Sequence, residues 1–321
     1  MKYIDMHCDT ITYLLKIGGE LRSNNIHIDI NKLRNGECML QNFAIFTNIG
    51  KHDSTFTDKA IDFYYSQMNE NSDSIRPIYK YSDIEKNERN GYISSMLTLE
   101  EGSVVDGKIE KLNYFYDKGV RMITLTWNYK NSIGHPNIDN YIKHDIDSLY
   151  HIDTVNGLTD FGVEYVKKCN ELGIIVDISH ASDKTFYDVL KVSTKPIVAS
   201  HSNARSVAGV SRNMSDDMIK QLAANGGVMG LNYCAAFINT DKPNFTYIED
   251  MVKHIDHIVE VGGIDCIGLG SDFDGIDCEL EIKDAAGVQM LYKELKKKYS
   301  EEDIEKIFYK NVLRVYKQCL K

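Results

Sequence analysis

The sequence is poor in the features that mark several protein classes. It has only four prolines in 321 residues and no low-complexity tract or internal repeat, so nothing marks a linker on which to divide the chain. Its seven cysteines, Cys8, Cys38, Cys169, Cys234, Cys266, Cys278 and Cys319, are odd in number and include no CxxC pair. That spacing argues against a disulfide scaffold or a structural zinc knuckle and suits a reduced, cytoplasmic protein. No run approaches the roughly 18 apolar residues of a membrane span, and Met1-Lys2-Tyr3-Ile4-Asp5-Met6-His7 turns polar too early for a secretory leader. Basic charge is short too. Lys and Arg number 37 against 47 Asp and Glu, a net charge of -10 that disfavours a general nucleic-acid or anionic-membrane binder. Nor does a glycine-rich phosphate fingerprint follow the first apolar segment, and no GxSxG nucleophile elbow occurs.

What is present centres on two short stretches, Val176-Asp177-Ile178-Ser179-His180 and Ile197-Val198-Ala199-Ser200-His201. Each is an apolar run of strand length ending on a histidine, and the polar stretch from Ser182 to Lys191 between them has helical character. Strand, helix, strand is a βαβ unit, in which the two strands are parallel and their last residues lie side by side. Two imidazoles are thereby expected at one sheet edge.

The rest of the chain repeats that rhythm. Apolar strand candidates centre near residues 4, 42, 97, 124, 177, 198, 230 and 268, with helical stretches between most of them. Glycines at 119 and 173 follow helical patterns, Ser215 suits an N-cap, and Ser300 with Asp303 opens the second of two C-terminal helices. Eight alternating units predict an α/β fold, a (β/α)8 TIM-like barrel with extra C-terminal helices, as one domain over residues 1–321.

In such a barrel the strand C-termini share one face, and that face carries the chemistry. Read in order, the strand ends carry His7 and Asp9, Glu100, His180, His201 and Asp272. Imidazoles and carboxylates suit zinc and similar divalent ions. Five ligands exceed the needs of a single catalytic zinc, so two metals with Glu100 bridging are the better count, leaving Asp272 as acid or base. Asn232 and Tyr233 at the seventh strand end are candidate substrate contacts. Cys8 should point away from its ligand neighbours into the core, His254 and His257 should serve packing or the surface, and His135, His144 and His151 should lie in a polar loop.

These stretches, with Leu99-Glu100-Glu101-Gly102, Ser200-His201-Ser202-Asn203-Ala204-Arg205, Arg212-Asn213 and Gly270-Ser271-Asp272-Phe273-Asp274-Gly275, resemble the membrane (renal) dipeptidase family, peptidase family M19, in order across nearly the whole chain. The resemblance implies a homodimeric binuclear barrel, two Zn2+ per chain, that cleaves dipeptides. It would place one zinc on His7 and Asp9 and the other on His180 and His201, with Glu100 bridging, Asp272 as the proton-shuttling aspartate and Arg212 on the substrate's terminal carboxylate. Two departures stand out. Trp127 occupies the place of a substrate-binding histidine in the mammalian renal enzyme, so its indole N-H or a neighbour must substitute, and Glu101 stands where many relatives have glycine. The mammalian form is secreted and lipid-anchored, whereas this sequence suggests no membrane anchor.

The implied mechanism is amide hydrolysis by a hydroxide bridging two metals. Asp272 would pass the proton to the leaving amine and Arg212 would restrict the enzyme to short substrates. Two alternatives remain at this stage. One is another binuclear metal amidohydrolase acting on a non-peptide amide or ester, although such barrels usually open with His-x-His where this chain has His-x-Asp. The other is a non-catalytic ligand-binding barrel, which would be expected to have lost part of the ligand set.

Overall fold

The computed structural model describes residues 1–48, 55–139 and 146–321, so His144 and part of its polar loop lie outside the described residues. Eight parallel strands form the barrel: β1 (Tyr3–Asp5), β2 (Cys38–Phe46), β3 (Ile93–Glu100), β4 (Val120–Thr124), β5 (Ile175–Asp177), β6 (Val198–Ala199), β7 (Val228–Leu231) and β8 (Ile267–Leu269). Each pairs with the next, and Asp5 opposite Leu269 closes β1 on β8. All eight expected strands are present. They read as near-continuous apolar runs because helices cover them outside and neighbouring strands fill them inside, leaving almost every strand residue buried.

The expected helix boundaries also have physical causes. Ser182, Ser215 and Ser300 accept the N-H of Thr185, Met218 and Asp303, satisfying donors that the first turn leaves free. Gly173 ends the helix Asp160–Leu172 at φ 86°, a left-handed conformation open to glycine at little cost. The C-terminal helices pack on the end of the barrel where strands begin. Asn311 donates to the carbonyls of Ile264 and Ile267, and Arg314 reaches those of Gly227 and Asp265. That end stabilises the fold and leaves the opposite end open.

Three features differ from the sequence reading. The fourth strand ends at Thr124, so Trp127 lies on the loop beyond it. β5 and β6 stop at Asp177 and Ala199, because the Asp177 carboxylate captures the N-H of Ser179 and of Ser200. Short pairings at Ile75–Pro77 beside β3, and of Phe245–Thr246 with Glu279–Leu280, are additional. Among the described residues, no helix is long and apolar enough to cross a membrane.

Candidate metal centre

Each expected ligand, and Asp272 with them, sits at, or within four residues after, the end of a barrel strand, so five strands deliver side chains to one buried point. Glu100 is central. Its Oε2 lies 3.3 Å from His7 Nε2, while its Oε1 lies 3.1 Å from His180 Nε2 and 3.8 Å from His201 Nε2. Asp9 Oδ2 and Asp272 Oδ1 approach His7 Nε2 at 3.5 and 3.8 Å, and the two imidazole Nε2 atoms of His180 and His201 are 3.0 Å apart. Potential ligand atoms fall into two overlapping groups, His7 with Glu100 and His201, and His7 with Asp9 and Asp272. His180 adjoins the first group through Glu100 and His201.

The backbone is bent to achieve this. His180 and Asp272 have φ of 69° and 64°, a region that residues with a Cβ seldom occupy and that clusters at functional sites. At Gly275 a Cβ would stand 2.1 Å from Asp9 Oδ2 and 2.7 Å from Asp272 Oδ1, so any side chain there would displace both carboxylates.

Burial sets the charges against one another. It pushes the Glu100 carboxyl up to about 7 and raises that of Asp272, although the charge of His7 opposes both shifts. Burial also disfavours a charged His7, but Glu100 and Asp9 outweigh it and hold the imidazole well above its ordinary range. His180 and His201 are driven well below theirs, by burial first and then by the charges of Arg212 and His7. Neutral imidazole is the form that ligates metal.

The donor set fits divalent cations. His7 Nε2 and Asp9 Oδ1 are buried without a hydrogen-bond partner, a costly state that a cation would relieve. The outer nitrogens of the other two histidines are already engaged. His180 Nδ1 lies 2.7 Å from Asn128 Oδ1, and His201 Nδ1 lies 2.7 Å from Ser200 Oγ. Outer partners of this kind orient ligand histidines.

The remaining expected residues separate clearly. Trp127 lines a cavity of about 370 Å³ over the centre, with Phe46, Asn128, His180, Phe237 and Asp272 among its walls. Its ring packs between Phe46 and Tyr129 at 5.0 and 4.9 Å. Arg212 is buried, donates to Ser202 Oγ and the His201 carbonyl, and keeps its Nε-H without a partner. Asn232 is fully buried and donates to Asp272 Oδ2 at 2.9 Å, so it touches the acid and not the cavity rim. Tyr233 is not brought to the cavity; it lies in the core, edge-on to Phe273. Glu101 turns its carboxylate to Ser103 and Asn131. Cys8 is buried as expected. His254 is a packing residue, accepting from Ala204 N-H and donating to the Ile238 carbonyl, and His257 pairs with Asp216. A larger cavity of about 620 Å³ opens near Lys130, His135, Asn137 and His151, but among the described residues no three of its histidine or acidic side chains gather closely enough to hold a metal.

Sequence reasoning missed Asn128 as a partner of His180, and it missed two buried aspartates beneath the centre. Asp5 accepts from His7 N-H and from both the N-H and hydroxyl of Ser271. Asp177 accepts from Ser179 N-H and from both the N-H and hydroxyl of Ser200. Each serine directly precedes a site residue, Asp272 or His201. The signal was an acid within an apolar strand, followed by a ligand two or three positions on.

A parallel barrel whose open end gathers three histidines and three carboxylates around unpartnered buried donors defines a barrel metallohydrolase. The model of the membrane dipeptidase family (peptidase family M19) matches residues 1–321, and the chain belongs to that family, as a metallodipeptidase. An uncharacterised dipeptidase of Schizosaccharomyces pombe is 30% identical over 347 residues, covering 99% of this chain and 80% of that protein. Among solved structures, the M19 metallopeptidase described as dipeptidase AC superposes with a TM-score of 0.91 at 23% identity, covering 100% of this chain and 99% of that one. A metallopeptidase from Rhodobacter sphaeroides, liganded with a phosphinate mimic of the dipeptide L-Ala-D-Ala, superposes at 0.88 with 23% identity and covers 99% of each chain.

Proposed function

We propose that residues 1–321 act as one catalytic domain that hydrolyses dipeptides at a centre for two zinc ions, His7 and Asp9 holding one, His180 and His201 the other, and Glu100 joining them. The observation that carries this reading is the placement of Glu100, with one carboxylate oxygen toward His7 and the other toward His180 and His201. Divalent cations supply Lewis acidity toward a carbonyl and lower the pKa of water to about 7.

The chain's own residues do the rest. Asp272, held by Asn232 Nδ2, takes a proton at its carboxylate and returns it to the leaving amine. Arg212 offers its free Nε-H, and the N-H groups not given to Ser202 and His201, to the substrate's terminal carboxylate. The cavity of about 370 Å³ suits a small substrate. Trp127 forms an aromatic wall of that cavity, and Asn128, the residue after it, orients His180. The dimer is proposed from the family resemblance. A cytoplasmic location is proposed with it, supported by the seven cysteines, which are free and mostly buried.

The test is to count zinc in the reconstituted protein and assay L,L and L,D dipeptides, tripeptides and N-acyl amino acids, with His180→Ala as control. About two zinc ions per chain and turnover confined to dipeptides are expected. Tripeptide turnover without dipeptide turnover would sink the role of Arg212, and about one ion or none would sink that of Glu100.

A further inference from the structure

Beneath His180 and His201 runs a directed chain of hydrogen bonds. Asp177 is fully buried between β5 and β6. Its Oδ1 accepts two backbone N-H groups, from Ser179 at 3.0 Å and Ser200 at 2.9 Å. Its Oδ2 accepts two hydroxyls, from Thr124 and Ser200, both at 2.6 Å. A carboxylate only accepts, so the single hydroxyl proton of Ser200 is committed to Asp177. Ser200 Oγ is then an acceptor toward its other neighbours, His201 Nδ1 at 2.7 Å and, more distantly, Ser179 Oγ at 3.3 Å. The proton of the neutral imidazole is thereby fixed on Nδ1, and the lone pair is left on Nε2, which faces Glu100 and His180.

We propose that Asp177 is a positioning residue that sets the tautomer of His201 through Ser200 and so creates the metal-accepting face of the second half of the centre. This rests on the metal reading above, and it makes a prediction that simple packing does not. In Asp177→Asn the side chain keeps its shape, and Asn Oδ1 can still take the two backbone N-H groups. Its amide nitrogen then donates where Oδ2 accepted. Ser200 then turns its proton toward His201 Nδ1 at 2.7 Å, a closer acceptor than Ser179 Oγ at 3.3 Å, the imidazole proton moves to Nε2, and the lone pair leaves the centre. The substitution therefore imposes the wrong tautomer. Ser200→Ala merely releases the ring to adopt either one, so it should be the milder change. Added to Asp177→Asn, it should restore part of what was lost, because the inverted relay no longer reaches the ring.

The experiment has two readouts, neither of them turnover. In metal-free protein labelled with [15N]histidine, nitrogen shifts report the His201 tautomer, assigned by loss of the signal in His201→Ala. The wild type should show Nδ1-H, Asp177→Asn should show Nε2-H, and Ser200→Ala a mixture. In chelator competition, Asp177→Asn should weaken one zinc by about 10–100-fold and spare the other, with the double variant returning to the level of Ser200→Ala. An unchanged Nδ1-H tautomer in Asp177→Asn would overturn the proposal, as would a double variant as weak as Asp177→Asn alone. Should Asp177→Asn fail to fold, Ser200→Ala still decides: Nδ1-H as the sole tautomer there overturns the relay. A wild type that binds no zinc would refute the metal reading, while the tautomer measurement would still judge the relay separately.

Discussion

The two halves of the centre hold their donors by different means. Around His7 the means is charge: Asp9, Asp272 and one oxygen of Glu100 surround a single imidazole and keep it well above its ordinary range against the pull of burial. Around His180 and His201 the means is orientation. Both rings are buried and driven toward neutrality, and each has its outer nitrogen engaged, by Asn128 and by Ser200. A cation in the first half is attracted mainly by carboxylates, and one in the second mainly by aligned lone pairs. The same support, a buried aspartate gripping a serine just past the end of a neighbouring strand, underlies both halves, so the difference arises above it, in the residues each serine precedes.

The largest effect should come from cutting the link. Glu100→Gln removes the charge shared by both halves, and zinc content is expected to fall at both sites with dipeptidase activity reduced to background; full occupancy by elemental analysis would contradict the bridge. Next, Asp272→Asn acts in the first half only and should lower kcat by about 10²–10⁴-fold while zinc content stays that of the wild type. A parallel loss of metal would make Asp272 a ligand instead of a proton carrier. Smaller again, Asn128→Ala should weaken one zinc by about 10–100-fold in a chelator titration, leaving the other unchanged. Equal weakening of both would erase the distinction between the halves.

The smallest effect concerns the metal-free protein, where the halves should answer pH in opposite senses. His180 and His201, lowered chiefly by burial, bind fewer protons folded than unfolded just below about pH 6.5. Their stabilisation is present above that value and lost as pH falls. His7 is raised, by Glu100 and Asp9 against burial, so its contribution is present below about pH 6.5 and lost as pH rises through its folded value. Glu100, raised by burial to about 7, follows the same sign and loses its contribution as pH rises through that value. Thermal midpoints of chelator-treated protein from about pH 5 to 9 should flatten on the acid side in His201→Ala and on the alkaline side in His7→Ala. The reverse assignment would show that the two environments are exchanged.

The barrel was legible because its strands are buried on both faces and so spell continuous apolar runs, as in Met96-Leu97-Thr98-Leu99. The histidines and carboxylates that meet at the open end were legible because they stand at, or just past, the ends of those runs. Position beyond a strand end was harder to read. Extending β7 by two residues put Asn232 and Tyr233 at the rim, but Asn232 is drawn inward by Asp272 and Asn203, and Tyr233 falls into the core on Phe273. The short pairing at Ile75–Pro77 includes an exposed arginine and a proline and carries no apolar period. Asp5 and Asp177 were unreadable as supports because their partners lie on neighbouring strands, and the sequence alone does not tell which serine an acid will meet.

The grip of Asp5 on Ser271 joins positions 266 residues apart, and it is there that the last strand meets the first. During synthesis His7 and Asp9 are made well before Asp272 and the strand that precedes it. At about 5–20 residues per second the gap is roughly 13–50 seconds. Throughout that time the growing chain carries a cluster without Asp272. With Asp272 in its proposed role, hydrolytic activity would be withheld from the nascent polypeptide until the barrel can close.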